Sequence, residues 1–174
     1  MQKPYATVGE GGVDYAGPPL ADAGSGPLRV VVFGPGADRL ARAAEVRTVL
    51  EPFGGRYQLA PVDADKPWGQ ASTELVSLLY QGNAVGIIAM GRTASHLAEQ
   101  LAAKAFIPVI GISSDAALTA VNLPWIFRLP PAATLAEAVG AMTAAAEKAG
   151  SNRGRLRDAL ASSGRFDNRG EPRR

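Results

Sequence analysis

The fold is decided by residues 85–128, which read VGIIAMGRTASHLAEQLAAKAFIPVIGISSDAALTAVNLPWIFR. Two apolar runs, Val85–Met90 and Ile107–Ile112, are each followed by small hydroxyl residues. A helical pattern at His96–Ala105 separates them, and a third apolar run lies at Trp125–Phe127. Short apolar runs that alternate with helical segments are typical of parallel strands joined by crossover helices. The stretch therefore predicts buried strands whose carboxyl ends open into helices.

The flanking sequence continues the same alternation in both directions. Further strands are predicted at 28–33 and 57–62, and further helices at 39–50, 70–80 and 134–149. Because the strands are apolar throughout, we expect helices to cover both faces of the sheet. The sequence therefore predicts an α/β fold with three α/β/α layers and a mostly parallel sheet of about five strands.

Composition divides the 174 residues into a central lobe with a flanking segment on each side. Residues 1–27 form a Gly/Pro-rich leader, which we do not expect to propagate helix or strand well. Tyr5 and Tyr15 are candidates to hold this leader against the lobe. Residues 28–150 form the lobe, and residues 151–174 form a basic carboxyl-terminal segment.

The charge is concentrated in the carboxyl-terminal segment. From residue 152 onward there are seven arginines and three acidic residues, a net +4, so the whole-chain value of +2 leaves −2 for the remainder. A basic segment can bind nucleic acid or acidic lipid, or it can be a solvated and partly disordered terminus. Only Phe166 interleaves with these arginines, so base-stacking positions are missing and we predict no nucleic-acid partner.

Composition also limits the location and the chemistry. The chain has no cysteine, which excludes disulfides and thiolate chemistry. No apolar run approaches the roughly 18 residues that a membrane span needs. The first residues, MQKPY, lead into polar sequence rather than the apolar stretch of a signal peptide.

The familiar cofactor motifs are absent from the expected positions. Gly34-Pro35-Gly36 follows the first strand, but Arg39 stands where a dinucleotide fingerprint has its third glycine. Asp63 is the one acidic residue that could bind the ribose of a dinucleotide. There is no phosphate-binding P-loop, and the first loop lacks the Ser/Thr residues of a flavin mononucleotide site. We therefore predict no cofactor.

Catalytic and metal sites are not predicted either. His96 is the only histidine, and one histidine without cysteines or clustered carboxylates is a poor metal site. Its use as a base for Ser95 or Ser113 would require an orienting acid, and none is evident. Asp63 and Asp65 are expected to be loop and capping residues. The sequence therefore favours a protein that is not an enzyme.

Polar side chains gather instead where the predicted strands end. Ligands collect at the carboxyl ends of strands in open α/β sheets, and helix amino termini there favour anions. Arg92 can clamp a carboxylate or phosphate or be a solvent-exposed loop residue, and Trp68 in its loop can stack on a ligand or cover a helix end. Arg128 is expected to cap a helix or pair with an acid. The candidate ligand-binding residues are Thr93, Ser95, Ser113, Ser114, Arg92 and Trp68.

The chain resembles the amino-terminal lobe of type I periplasmic solute-binding proteins, the branched-chain amino acid and amide group of ABC importers. The likeness covers about residues 15–170. It is carried by Phe33-Gly34-Pro35, Trp68-Gly69, Glu74-Leu75-Val76, Ile107-Pro108-Val109-Ile110, the segment 113–119 (SSDAALT), the segment 124–129 (PWIFRL) and the segment 164–170 (GRFDNRG).

The resemblance implies binding of an amino acid, amide or other small carboxylate. In that family, hydroxyls and backbone groups after strands three and four bind the ligand, which corresponds to Thr93, Ser95, Ser113 and Ser114. The same match places Trp68 near the cleft. It also implies an ABC permease as partner and a periplasmic location after removal of a signal peptide, with the cytoplasm as the alternative.

The chain departs from the family in its organisation. Family members close two lobes around the ligand, whereas this chain passes from Gly150 directly to its terminal segment. A single lobe leaves much of a ligand exposed, although tight sites bury most of it. Either a homodimer or another partner supplies the second wall, or the lobe has lost transport and binds proteins through an apolar edge or its basic segment.

Overall fold

The computed structural model describes residues 5–10, 12–81, 83–167 and 169–173. Its strands are β1 (Ala6–Gly9), β2 (Gly12–Tyr15), β3 (Leu28–Gly34), β4 (Tyr57–Asp63), β5 (Ala84–Met90), β6 (Val109–Ile112) and β7 (Ile126–Leu129). Its helices are α1 (Ala37–Leu40), α2 (Ala44–Leu50), α3 (Trp68–Gln81), α4 (Arg92–Ala105), α5 (Ala117–Ala120), α6 (Leu135–Ala149) and α7 (Arg153–Ala161), with a 3-10 turn at Glu51–Phe53. No helix within these ranges combines the length and the apolar character that a membrane crossing requires.

Five strands form one parallel sheet in the order β4-β3-β5-β6-β7. The chain first adds β4 on one side of β3 and then crosses to add β5, β6 and β7 on the other side. The strand order therefore reverses between β3 and β5. Pro61 lies in the edge strand β4, opposite Val32. The predicted α/β class and the parallel five-stranded sheet are confirmed.

Helices cover both faces of the sheet. On one face, α3 and α4 pack through residues such as Leu75 and Ala98. On the other face, α2, α6 and α7 pack through residues such as Val46, Met142 and Leu156. The central strand β5 needs both layers because its residues from Ala84 to Ala89 are all buried. The core is therefore two apolar layers that share one sheet.

Small residues allow the second layer to approach β5 closely. A Cβ at Gly86 would lie 2.6 Å from the sulfur of Met142, so Gly86 provides the space in which that side chain sits. Seven of the fifteen residues of α6 are alanine, and most of these are buried against the sheet or its neighbours. The Ala-rich composition of this helix thus serves close packing as well as helix propensity.

Three predicted helix boundaries differ from the structure. The single helix predicted at 39–50 is wrong, because Ala43 has extended backbone angles (φ −61°, ψ 146°) that separate α1 from α2. The first of these helices packs beside β4 and the second packs against α6, so tertiary packing overrides the helix propensity of the intervening alanines. In addition, α3 begins at Trp68 and α4 begins at Arg92, both earlier than predicted.

The leader is more ordered than its composition predicts. Its strands β1 and β2 pair as an antiparallel hairpin. The ring of Tyr15 lies 4.9 Å from that of Trp125 and 5.8 Å from that of Phe106 between centroids. These contacts confirm that Tyr15 holds the leader against the lobe.

The carboxyl-terminal segment packs on the lobe, so the expectation of a solvated terminus is wrong for its described residues. Leu156, Leu160 and Phe166 are fully buried. The guanidinium of Arg153 donates to the carbonyls of Ala84 and Ala105 at 2.9 and 2.8 Å. Polar partners of this kind allow an arginine to be buried without an unpaired donor. This arginine of the basic segment therefore serves an internal contact.

Removing the Phe166 ring tests whether this segment belongs to the core. The ring is fully buried and lies 5.1 Å from that of Phe127. We expect Phe166→Ala to lower the free energy of unfolding by about 3–5 kcal/mol, as is typical for a buried phenylalanine. Denaturant unfolding measures the loss, with the partly exposed Phe53→Ala as control. A loss no larger than that of the control would contradict the packing of this segment.

Candidate ligand-binding site

The carboxyl ends of the parallel strands meet at one edge of the sheet, where the strand order reverses between β3 and β5. In open α/β sheets this is the position at which ligands bind. The loops after β3 and β4 are joined there, because Asp63 accepts hydrogen bonds from the backbone N–H groups of Gly36 (3.2 Å) and Asp65 (2.9 Å). Asp63 therefore has the loop role that the sequence predicts.

Two clefts open at this edge, one on each side of a ridge formed by residues 90–92. The first cleft has a volume of about 560 Å³ and lies between the ridge, the loop after β6, and helices α1, α2 and α6. Its walls are mainly apolar, and its polar side chains are few. The apolar residues include Leu40, Val46, Met90, Ile112 and Leu135, and the polar ones are Glu45, Arg92, Ser113, Ser114 and Thr134.

The second cleft has a volume of about 630 Å³ and lies between the ridge and the start of α3. Its lining includes Phe33, Trp68, Arg92, Thr93 and Leu97. The indole of Trp68 is 52% exposed, and its ring lies 6.5 Å from that of Phe33. Trp68 lies on the first turn of α3 and not in a loop as predicted. It borders the edge where a ligand is expected.

The structure divides the predicted site residues between these clefts. Ser113 and Ser114 line the first, Trp68 and Thr93 line the second, and Arg92 lines both. Ser95 is not among the residues that line either cleft, since its side chain is fully buried.

Two of the four predicted hydroxyls serve the fold. Ser95 Oγ donates to the carbonyl of Ala89 at 3.5 Å and packs over Gly111, where a Cβ would lie 2.9 Å from that oxygen. Ser113 is 2% exposed, and its Oγ accepts the backbone N–H of Asp115 at 3.1 Å. Thr93 and Ser114, in contrast, are exposed at the edge. The hydroxyls that a ligand can reach in this arrangement are therefore those of Thr93 and Ser114.

Helix α4 presents its amino terminus to the ridge. Its N-cap residue is Gly91 (φ +87°), which makes no side-chain cap. The first N–H groups of an α-helix have no partner within the helix, so an uncapped first turn of a 14-residue helix favours an anion. Thr93 and Ser95 lie in this first turn, where the sequence predicted a loop.

A cluster of charged side chains lies beside the ridge. Arg92 Nε donates to Asp115 Oδ2 at 2.8 Å, and the same oxygen is 3.0 Å from His96 Nε2. The other ring nitrogen of His96, Nδ1, is 3.0 Å from Glu99 Oε2. The sequence alone does not indicate an acid for His96. The position of Glu99 one turn along the helix was the available signal, whereas Asp115 is brought near only by the fold.

The cluster shifts the acidity of its members. The hydrogen bond with His96, together with those from Ala117 N–H and Arg92, lowers the pKa of Asp115 to about 2. The hydrogen bond with Asp115 raises the pKa of His96, and Glu99 adds to this effect while burial opposes it. Charges of opposite sign thus stabilise each other's ionised forms.

The carboxyl-terminal segment helps to position the loop after β6. Arg128 donates from Nη1 to the carbonyl of Ser113 at 2.9 Å and from Nε to the carboxylate of Glu171 at 3.1 Å. This contact lowers the pKa of Glu171. The expectation that Arg128 pairs with an acid is confirmed. Its partner could not be predicted, because the two residues are brought together only by the folded terminus.

The polar side chains at this edge that the sequence offered as a base and a nucleophile have other partners. Both ring nitrogens of His96 face carboxylates, while the hydroxyls of Ser95 and Ser113 are engaged elsewhere. Within the described parts of the chain, no three His, Asp or Glu side chains are placed to hold a metal ion.

Comparison with known proteins supports the fold. No protein-family model and no curated protein matches the chain. An ABC transporter substrate-binding protein from Desulfitobacterium hafniense matches with a TM-score of 0.50 and 16% identity, over 71% of this chain and 38% of that one. A structure of an ABC transporter substrate-binding protein from the same organism in complex with leucine matches with 0.50 and 15%, over the same shares.

A leucine-binding protein from Thermotoga maritima gives a TM-score of 0.48 and 14% identity, over 58% of this chain and 32% of that one. The chain thus spans well under half the length of these solved chains. At 15–16% identity, the two matches from Desulfitobacterium hafniense establish the fold alone, an α/β domain like one lobe of a type I periplasmic binding protein. The proteins that share this fold are named as binding proteins.

The charge on His96 should make stability depend on pH. Because the folded state raises the pKa of His96, its imidazolium adds stability that is complete below the ordinary pKa of histidine. That stability is lost as the pH rises through the raised value. Asp115 stays ionised throughout this range. We expect the melting temperature of the wild type to fall relative to that of His96→Gln between about pH 5.5 and about pH 9. Thermal unfolding of both proteins across this range checks it, and parallel profiles would contradict it.

Proposed function

We propose that this protein is a non-enzymatic, solute-binding-like protein that recognises a small amino acid, amide or other carboxylate at the carboxyl edge of its sheet. The observation that carries the proposal is the first cleft. It combines mainly apolar walls with Arg92 and the uncapped amino terminus of α4 at its border. Apolar walls with a few convergent polar groups are typical of small-molecule sites.

The polar groups of this cleft suit an amino acid in particular. A ligand carboxylate would accept hydrogen bonds from the first turn of α4 and from Arg92, with Ser114 beside it. Glu45 lies on the lining of the same cleft and offers a partner for an ammonium group. An apolar side chain would then pack against Leu40 and Leu135. Thr93 and Trp68 would contact any part of the ligand that reaches the second cleft.

The open side of the site requires a second wall. The structurally similar solved chains are far longer than this one, which spans 38% of the length of those from Desulfitobacterium hafniense. We propose that a second copy of the chain or another subunit covers the ligand. By analogy with those ABC transporter substrate-binding proteins, a periplasmic location and an ABC permease partner follow from the proposal, with the cytoplasm as the alternative location.

Ligand-dependent stabilisation tests the proposal. Thermal unfolding is measured with leucine and with a panel of amino acids, amides, amines and small carboxylates at about 10 mM. A ligand at ten times its Kd stabilises the native state by about 1.4 kcal/mol, which raises the melting temperature by about 3–6 °C. We expect such a rise with at least one carboxylate compound.

Two variants show whether the ligand-induced rise in melting temperature originates at this site. We expect Arg92→Ala/Ser114→Ala to lose it and Arg165→Ala to keep it, because Arg165 is an exposed arginine of the carboxyl-terminal segment, outside both clefts. No rise with any compound, or an equal rise in both variants, would overturn the proposal.

A second candidate function is protein binding through α3, with a second copy of the chain as the partner. Five large hydrophobic side chains are exposed among the described residues, and three of them, Trp68, Val76 and Tyr80, lie on this helix. Its sequence holds one charged residue, Glu74, which is paired with Lys66 at 3.2 Å. Exposed helix faces are usually rich in charge, and apolar exposed patches mark contact surfaces. The basic segment is a weaker candidate, because Arg153 and Arg157 are engaged within the fold.

Charge placed on α3 separates the two functions. If α3 is a contact surface, Val76→Glu/Tyr80→Glu should shift an associated wild type to monomer in sedimentation velocity and leave any ligand-induced rise in melting temperature unchanged. The control Gln70→Glu adds charge to another exposed position of the same helix. A wild type that is monomeric at all concentrations, or a control that dissociates equally, would contradict this function.

A further inference from the structure

His96 has a carboxylate oxygen 3.0 Å from each of its two ring nitrogens. Glu99 faces Nδ1 and Asp115 faces Nε2, and each carboxylate accepts a hydrogen bond. Neutral imidazole carries one N–H, whereas imidazolium carries two, so both hydrogen bonds can coexist only when His96 is protonated. Loss of that proton forces one of the two carboxylates away from the ring.

Asp115 is also the partner of Arg92, which lines both clefts. The Oδ2 atom that faces His96 accepts a hydrogen bond from Arg92 Nε at 2.8 Å. The Oδ1 atom of Asp115 accepts the N–H of Ala117 at 3.0 Å, and the backbone N–H of Asp115 donates to Ser113 Oγ at 3.1 Å. The position of Arg92 and the shape of the loop after β6 therefore depend on one carboxylate.

The net charge of the cluster around His96 changes when His96 titrates. Within the described ranges, the charged groups that act on it are Glu99 from its own helix and Asp115 from the loop after β6, with Arg92 acting through Asp115. With His96 protonated, these four groups carry two positive and two negative charges. With His96 neutral, the cluster is net negative and Arg92 is the only cation left to balance Asp115. A ligand carboxylate that takes Arg92 would then leave Asp115 without a cation.

We propose that His96 controls ligand binding at this edge: when His96 is protonated, Asp115 keeps a cationic partner if Arg92 turns to a ligand carboxylate, whereas neutral His96 leaves Arg92 as the only cation on Asp115 and so holds it there. This inference rests on the proposed function and adds its regulation. Ligand and proton then bind cooperatively, because linkage makes each favour the other. Histidine is the side chain suited to such control between about pH 5 and about pH 8.

The first measurement follows the charge cluster without ligand. The Nε–H resonance of Arg92 and the amide resonances of residues 114–117 are recorded by NMR as the pH is raised from about 5.5 to about 8. We expect them to move with the titration of the His96 ring in the wild type and to stay constant in His96→Gln. Resonances of Arg92 that do not follow His96 would overturn the inference whether or not any ligand binds.

The second measurement uses leucine, whose net charge stays near zero over this pH range. Isothermal titration calorimetry of the full chain should show an affinity about fivefold or more higher at about pH 5.5 than at about pH 8. We expect His96→Gln to reduce this ratio to near one and Arg165→Ala to keep it. Binding of leucine with equal affinity at both pH values would overturn the inference.

The two measurements separate the regulation from the function on which it rests. If leucine binds at neither pH, leucine binding at this site fails, and the Arg92 resonance alone then decides whether His96 controls Arg92. If that resonance follows His96 and leucine binding weakens as the pH rises, both the site and its control are supported.

Discussion

The structure depends on one constraint, that β5 is buried on both faces. Every residue from Ala84 to Ala89 on this strand is inaccessible to solvent, so the sheet requires an apolar layer above and below it. The layer formed by α3 and α4 comes from the crossover connections. The opposite layer is completed by α6 and by α7 of the carboxyl-terminal segment. A segment that looks solvated by composition is therefore recruited into the core, because without it one face of the sheet would be partly uncovered.

The same constraint places the candidate site. Parallel strands that are buried on both faces direct all their carboxyl ends to one edge, so the loops after β3, β5 and β6 meet there. The carboxyl-terminal segment reaches this edge as well, where Glu171 binds Arg128 and Arg128 holds the carbonyl of Ser113. The loop after β6, which lines the first cleft, is thus held in place by Glu171 of the carboxyl-terminal segment through Arg128. Core packing and the geometry of the site are parts of a single arrangement.

The sequence alone was sufficient to predict the strands of the sheet but not the ion pairs at its edge. Apolar runs define strands locally, so the five strands could be placed within a few residues. The hydroxyl pattern predicts that Ser95 faces a ligand, yet Ser95 is buried, because it lies on the face of α4 that packs over Gly111. The partners of His96 and Arg128 could not be predicted, since Asp115 and Glu171 approach them only through the packing of loops distant in sequence. Local patterns determine elements, whereas ion pairs between elements depend on their final positions.

The two edge strands of the sheet, β4 and β7, affect how copies of the protein can associate. On β4, Pro61 has no N–H to offer to another strand. On β7, the N–H of Arg128 is occupied by the carbonyl of Gly170 at 2.7 Å. Open strand edges are the usual templates for aggregation by strand addition, and here one is interrupted and the other is capped. Orderly self-association would therefore proceed through helical surfaces, and growth of the sheet from one molecule into the next is disfavoured at both ends.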